Sequence, residues 1–282
     1  MRSLYLLLSL FVSSLVFTSC NPYGKVSYKE SPQILNVSAY DPKEIQRGGS
    51  SYSPLNQSAL RRNGGLGQIA RSSKGYALDS KCSDFLKGAD QQGMLLGTYH
   101  YITPNSSATA QADLYINRLL AIKHSRGIRA DRIMLVGDVD TNCRISHVIA
   151  FVNRVKQRTG VYPMLYIENG EGIRKRLRNA SRSQKAILRK CPYWLALYSD
   201  NYPGIETPQA LIDATKVWST WALWQYGGVE WERGRSNAKH YSAGSWKTPR
   251  FFGNLSRPME RNGFNGSHKE LYKFWNRHSW KW

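Results

Sequence analysis

Ile133-Met134-Leu135-Val136-Gly137-Asp138-Val139-Asp140 is the stretch that most limits what this chain can become. Four large apolar residues in a row, flanked by Asp131-Arg132 and Thr141-Asn142, predict a strand buried on both faces, as in parallel sheets covered by helices. Residues i and i+2 of a strand share a face, so Asp138 and Asp140 project together. At a rise of about 3.3 Å per residue their backbones are roughly 6.6 Å apart, near enough for each carboxyl to feel the other. Paired carboxyls at the carboxyl end of a buried parallel strand lie where barrel folds carry their chemistry. An isolated pair of this kind also occurs as a plain Asp-rich turn, so the neighbouring segments have to decide.

They alternate. Ile34–Ser38, a segment beginning at Gln68, Met94–Tyr101, Val161–Ile167, Tyr193–Tyr198 and Trp221–Tyr226 read as further strands. Between them, helical spacing is predicted near Leu55–Arg62, over 79–92 with Gly93 as its stop, and after a Ser106 or Ser107 cap. Ile145, Val148, Ile149, Val152 and Val155 mark another amphipathic helix, closed by Gly160, and 270–282 ends the chain as a short helix with an aromatic tail. About eight strands in roughly 250 residues, alternating with helices, suit an α/β barrel better than an open sheet. Residues 229–253 form a polar insertion without a clear period.

Met1-Arg2, an apolar run from Leu4 to Phe17 and the small-residue end Thr18-Ser19-Cys20 predict a secretory signal over residues 1–20, too short for a comfortable membrane span. Cys20 directly after small residues resembles a lipoprotein cleavage box and is the expected lipidation site, with an ordinary signal cleavage nearby as the alternative. Residues 21–33 are polar and turn-rich, the expected tether, and the domain proper is expected over 34–282. Forty Lys and Arg against 19 acids favour an anionic partner, whether nucleic acid, an acidic membrane surface or a wall polymer. The basic residues between 171 and 190 read first as a solvated helix face. No basic region carries a nucleic-acid motif and the signal argues against such a partner. Cys82, Cys143 and Cys191 have neither CxxC nor CxxH spacing, so zinc is not expected; one disulfide plus one free thiol stays open. No metal or cofactor is expected.

Seven fragments then fall in one order: Ile34-Leu35-Asn36-Val37-Ser38; Arg71-Ser72-Ser73-Lys74-Gly75; Gly97-Thr98-Tyr99-His100-Tyr101 with Gln111-Ala112; Asp138-Val139-Asp140; Tyr162-Pro163-Met164-Leu165-Tyr166; Trp194–Tyr198 with Trp224-Gln225-Tyr226; and Glu260-Arg261-Asn262-Gly263-Phe264-Asn265-Gly266. Together they resemble glycoside hydrolase family 25, the Chalaropsis-type lysozymes, over about residues 35–274. The resemblance implies a flattened TIM-like barrel with eight strands and fewer than eight helices. It also implies an N-acetylmuramidase that cuts the β-1,4 bond between MurNAc and GlcNAc of peptidoglycan; the signal over residues 1–20 adds the expectation of a cell-envelope location with a lipid anchor.

By that resemblance the catalytic set is Asp140 as acid and later base, Asp138 orienting the substrate's acetamido group as internal nucleophile, and Glu260 and Asn36 beside them. Tyr99, Tyr166, Tyr198 and Trp224 are the expected sugar-stacking aromatics, with core packing a nearly equal reading for each. His100 reads as structural. Three acidic positions of the family differ here: Asn36 stands for Asp, Asp140 for Glu and Glu260 for Asp. The Asp140 carboxyl falls back by a little over 1 Å, a misplacement that can cost about 100-fold. Glu168 is a lesser candidate acid. An inactive peptidoglycan binder on the same fold is the alternative reading.

Overall fold

The computed structural model describes residues 31–41, 54–168, 170–196, 209–231, 238–241 and 259–282. Strands β1 (Gln33–Val37), β2 (Gly65–Lys74), β4 (Leu95–Ile102), β5 (Arg132–Val139), β6 (Met164–Ile167), β7 (Tyr193–Ala196), β8 (Leu223–Trp231) and β10 (Glu260–Phe264) close into a barrel. Pairing is parallel from β1 through β2, β4, β5, β6 and β7 to β8. Only β10 runs the other way, antiparallel to both β8 and β1, and it shuts the ring. Short strands β3 (Ala77–Leu78), β9 (Ala238–Tyr241) and β11 (Trp280–Lys281) add to β2, β8 and β5 from outside the ring.

The helices are α1 (Gln57–Arg62), α2 (Cys82–Gln91), α3 (Ala108–Arg126), α4 (Ile145–Thr159), α5 (Glu171–Asn179), α6 (Arg182–Leu188), α7 (Gln209–Thr215) and α8 (His268–His278). The eight-stranded barrel is the expected one. Eight helices occur among the described residues where fewer were expected, because the β6–β7 connection carries two. Their ends follow from local chemistry. Ser107 caps α3 through its hydroxyl, Gly127 and Gly160 end α3 and α4 in the left-handed conformation, and Ser267 with Glu270 forms a capping box on α8.

Strand parity divides the core in two. Ile34, Ile69, Tyr99, Met134, Val136, Met164, Trp194, Leu223 and Phe264 point inward and fill the barrel. Their neighbours Leu35, Ala70, Leu135, Leu165, Leu195 and Trp224 point outward and pack under the helices. Each such fully buried aliphatic side chain contributes roughly 1.5–3 kcal/mol. The amino-end of the barrel is plugged by α8: Leu271 and Trp275 join the inner cluster, and the Trp275 indole donates to the Leu96 carbonyl at 2.9 Å. The tail follows, with Trp280 beside Ile133 and the Trp282 amide donating to Asp131 at 3.1 Å.

The expected tether overlaps the domain. Gln33 already pairs in β1, and the Pro32 carbonyl accepts from the Phe264 amide at 3.0 Å. Residues 1–30, including Cys20, lie outside the described residues. No helix among the described residues is long and apolar enough to cross a membrane.

Candidate active site

The inward rows end at the carboxyl face of the barrel in a polar ring. β1 delivers Asn36, β2 Arg71, β4 Tyr101, β5 Asp138 with Asp140 just beyond, β6 Tyr166 with Glu168 just beyond, and β8 Gln225. Because β10 is reversed, its first residue, Glu260, also arrives at this face, in register with Asn36.

One hydrogen-bonded network spans the mouth. The Tyr166 hydroxyl donates to Gln225 Oε1 at 2.8 Å, and Gln225 Nε2 donates to Asn36 Oδ1 at 3.1 Å. Asn262 Nδ2 donates to the same Asn36 oxygen at 2.9 Å and to the Ile34 carbonyl at 2.9 Å, while its own Oδ1 accepts from the Trp194 indole at 2.8 Å. With two donors on its oxygen, the Asn36 amide has one orientation left, and its Nδ2 donates to Glu260 Oε2. Asn36 is therefore a built part of the mouth: it supplies a donor that an aspartate could not.

The carboxyls differ in environment. Asp138 is held well above the ordinary carboxylate range, chiefly by burial and then by Glu168 and Glu260, against the pull of Arg71 and Lys74. Asp140 accepts from the Tyr101 hydroxyl on Oδ2 at 3.1 Å and from the Asn142 amide on Oδ1 at 2.8 Å. Glu168 is exposed at the rim, yet its carboxyl is pushed up by partial desolvation and then by Asp140. Lys74 Nζ lies 4.6 Å over the Tyr101 ring. Arg71 donates to Asp79 at 2.9 Å; Asp79 also accepts the Ala39 and Lys81 amides at 2.9 and 3.0 Å, tying the loop after β1 to the mouth.

Of the expected sugar-stacking residues, Tyr166 sits at the mouth, edge-on to Trp194 with ring centroids 4.9 Å apart. Tyr99 points inward but is 9% exposed and forms the floor beneath Asp138 rather than an open wall. Trp224 is corrected: it is 1% exposed and packs outward beside Trp221 and Tyr226. Strand parity forces this, since its neighbour Gln225 takes the inward place. Tyr198 lies outside the described residues.

His100 is fully buried on the helix side, between Ser73 Oγ at 2.8 Å and Gln111 Oε1 at 3.0 Å. A Gln oxygen can only accept, so Nε2 carries the hydrogen and Nδ1 accepts from Ser73. Burial, only partly offset by Gln111, lowers its pKa to about 4. This is a structural histidine, as expected.

Sequence reasoning passed over Tyr101, Gln225 and Asn262 as mouth residues. The signal was parity: Tyr101 shares a face with Tyr99, and Gln225 lies between two outward aromatics. Cys82, Cys143 and Cys191 are buried free thiols, so no disulfide joins them. Among the described residues, no group of three or more His, Cys, Asp or Glu is placed to hold a metal ion.

Comparison with known proteins bears on the family and the fold. The model of glycosyl hydrolases family 25 matches residues 52–234. A bacterial lysozyme from Streptomyces coelicolor is similar in structure, with a TM-score of 0.57 and 20% identity over 88% of this chain and 98% of that one. The catalytic domain of endolysin ply40 from the Listeria monocytogenes bacteriophage P40 gives 0.56 and 19%, over 86% and 96%. A family 25 lysozyme from Aspergillus fumigatus gives 0.55 and 19%, over 87% and 99%. At these identities the structural likeness speaks for the fold. Comparison with curated protein sequences gives no match. The family match covers more than half of the chain, and the chain belongs to glycosyl hydrolase family 25.

Proposed function

We propose that this chain is a peptidoglycan hydrolase of the N-acetylmuramidase type, cutting the β-1,4 bond between MurNAc and GlcNAc. The observation that carries the reading is the gathering of Asp138, Asp140, Glu168 and Glu260 around one barrel mouth in a family 25 chain. Glycosidic cleavage needs one carboxyl to protonate the leaving oxygen and a second group to stabilise or trap the sugar's positive centre. With the substrate's acetamido oxygen as nucleophile, Asp138 accepts the acetamido N–H. Its raised proton affinity suits it to take that proton as the C1–O bond of the cyclic intermediate forms. The leaving GlcNAc O4 takes its proton from another mouth carboxyl. The surplus of 40 basic over 19 acidic residues favours an acidic wall polymer as substrate. Export across the inner membrane and lipidation at Cys20 complete the proposal, resting on residues 1–20 alone; labelled fatty acid incorporated by wild type and lost in Cys20→Ala would support it.

The test is digestion of purified peptidoglycan by wild type and Asp138→Asn, read as turbidity and as new reducing ends. New MurNAc reducing ends from wild type, reduced at least 100-fold in Asp138→Asn, support the muramidase. Salt-sensitive pelleting onto peptidoglycan without any release would overturn it in favour of an inactive binder. Asn36 in place of an acid and Asp140 in place of a longer one are the observations that favour that second reading.

A further inference from the structure

Asp140, which the sequence resemblance puts in the acid's place, is folded into its own turn. Its Oδ1 accepts the Asn142 amide at 2.8 Å, its Oδ2 accepts the Tyr101 hydroxyl at 3.1 Å, and its carbonyl accepts the Cys143 amide at 2.9 Å. A short carboxylate capping the residue two ahead is an Asx turn. Both oxygens are engaged by donors, which aims the group back at the loop. A proton donor needs the opposite: a carboxyl left free to meet the glycosidic oxygen over the barrel mouth.

The neighbouring strand offers one. Met164 and Tyr166 are inward residues of β6, so Glu168 is the next position of the same row. Asp138 pairs with Tyr166 and Val139 with Ile167, and just past the end of that ladder Asp140 is near enough for its charge to act on the Glu168 carboxyl. Backbones of adjacent strands lie about 4.8 Å apart, and Glu168 carries the extra methylene that Asp140 lacks. Among the described residues its carboxyl makes no hydrogen bond.

Resting on the hydrolase reading above, we infer that Glu168 is the proton donor of this site and that Asp140 is a fixed carboxylate beside it. The lost methylene at position 140 is thereby made good from the next strand. Partial desolvation and then repulsion from Asp140 push the Glu168 carboxyl above its ordinary range, in keeping with that part. Besides Asp140, the titratable groups that face it are Tyr101 from β4 and Asp138 from β5, while Arg71 and Lys74 from β2 and Glu260 from β10 act on Asp138. Cys143 lies behind Asp140, with Arg176 of α5 near it.

The step balances as follows. Glu168 gives its proton to the glycosidic oxygen as the C1–O bond breaks and the acetamido oxygen bonds to C1, its N–H proton passing to Asp138. The Glu168 carboxylate then takes a proton from water, whose oxygen bonds to C1 and reopens the ring, and Asp138 returns its proton to the nitrogen.

Leaving-group dependence tests this. Wild type, Glu168→Gln and Asp140→Asn would be assayed on peptidoglycan and on an aryl β-glycoside of GlcNAc-MurNAc whose nitrophenolate departs without a proton. Glu168→Gln should lose about 10²–10⁴-fold on peptidoglycan but stay within about tenfold of wild type on the aryl glycoside, and should lose the alkaline limb of the pH profile. Equal losses on both substrates, no loss on peptidoglycan, or the aryl-sparing pattern in Asp140→Asn instead would overturn the assignment while leaving the muramidase intact. Wild type inactive on both substrates would overturn the hydrolase reading itself and this inference with it.

Discussion

Asn36 shows how far one side chain can be read and where reading stops. The sequence marks it as an amide where the family carries an acid, which alone looks like a loss. The structure gives its Oδ1 two amide donors, Gln225 and Asn262, and turns its Nδ2 on Glu260. Asn36→Asp would set a carboxylate against Glu260 and close to Asp138. The pair would share a proton at acid pH and repel once that proton leaves, so its stability is present at low pH and lost as pH rises. The expected outcome is a deficit of about 2–3 kcal/mol at pH 7 that shrinks at pH 4, read by thermal unfolding. A deficit independent of pH would contradict the Asn36–Glu260 contact. His100 works in the other direction. Its pKa falls from 6.5 to about 4 on folding, so the unfolded chain binds the proton more readily and stability drains away as pH falls through that window. About 3 kcal/mol is at stake at about 1.4 kcal/mol per unit, and that share of the acid slope should be missing in His100→Gln even though that variant starts lower.

At the scale of elements, strands with apolar inner rows were legible and β10 was not. Glu260-Arg261-Asn262-Gly263-Phe264 has too few apolar residues to announce a strand, because two of its three inward residues, Glu260 and Asn262, serve the polar mouth and only Phe264 the core. The same cause hid Gln225 and mis-set Trp224: a mixed aromatic and amide run gives no sign of which parity faces in. Asn262 is the hinge of that network, holding Trp194, Ile34 and Asn36 at once. Asn262→Ala should cost about 2–4 kcal/mol in denaturant unfolding by leaving buried groups unpaired. Below the mouth, packing is tight enough to predict from a single methyl. A Cβ on Gly97 would stand 2.8 Å from Ile69 Cγ1 and 3.4 Å from both Met134 Cβ and Trp275 Cζ2. Gly97→Ala should lower stability by about 1–3 kcal/mol, and pairing it with Ile69→Val should return part of the loss.

For the whole molecule, alternation and length were enough to indicate a barrel, since few other folds bury so many short apolar strands under helices. The direction of the last strand was beyond such reasoning, for it depends on a connection whose sequence has no period. Net charge acts at this scale too. With a formal net charge of +21, association with an acidic glycan should weaken steeply as salt rises from 0.05 to about 0.3 M, mostly through the association rate; a salt-independent rate would argue against electrostatic capture. The barrel's polarity has a last consequence. Both described ends of the chain, at Ser31 and at Trp282, sit at the amino-end, where Ser31 lies against Gly263 and the Trp282 indole donates to the Ala130 carbonyl. The molecule thus has a handle and a working end on opposite poles. Whatever holds it by residues upstream of Ser31, or by a fusion placed after Trp282, leaves the barrel mouth on the far side, so on the proposed reading a surface coated through either end should digest peptidoglycan as freely as the protein in solution.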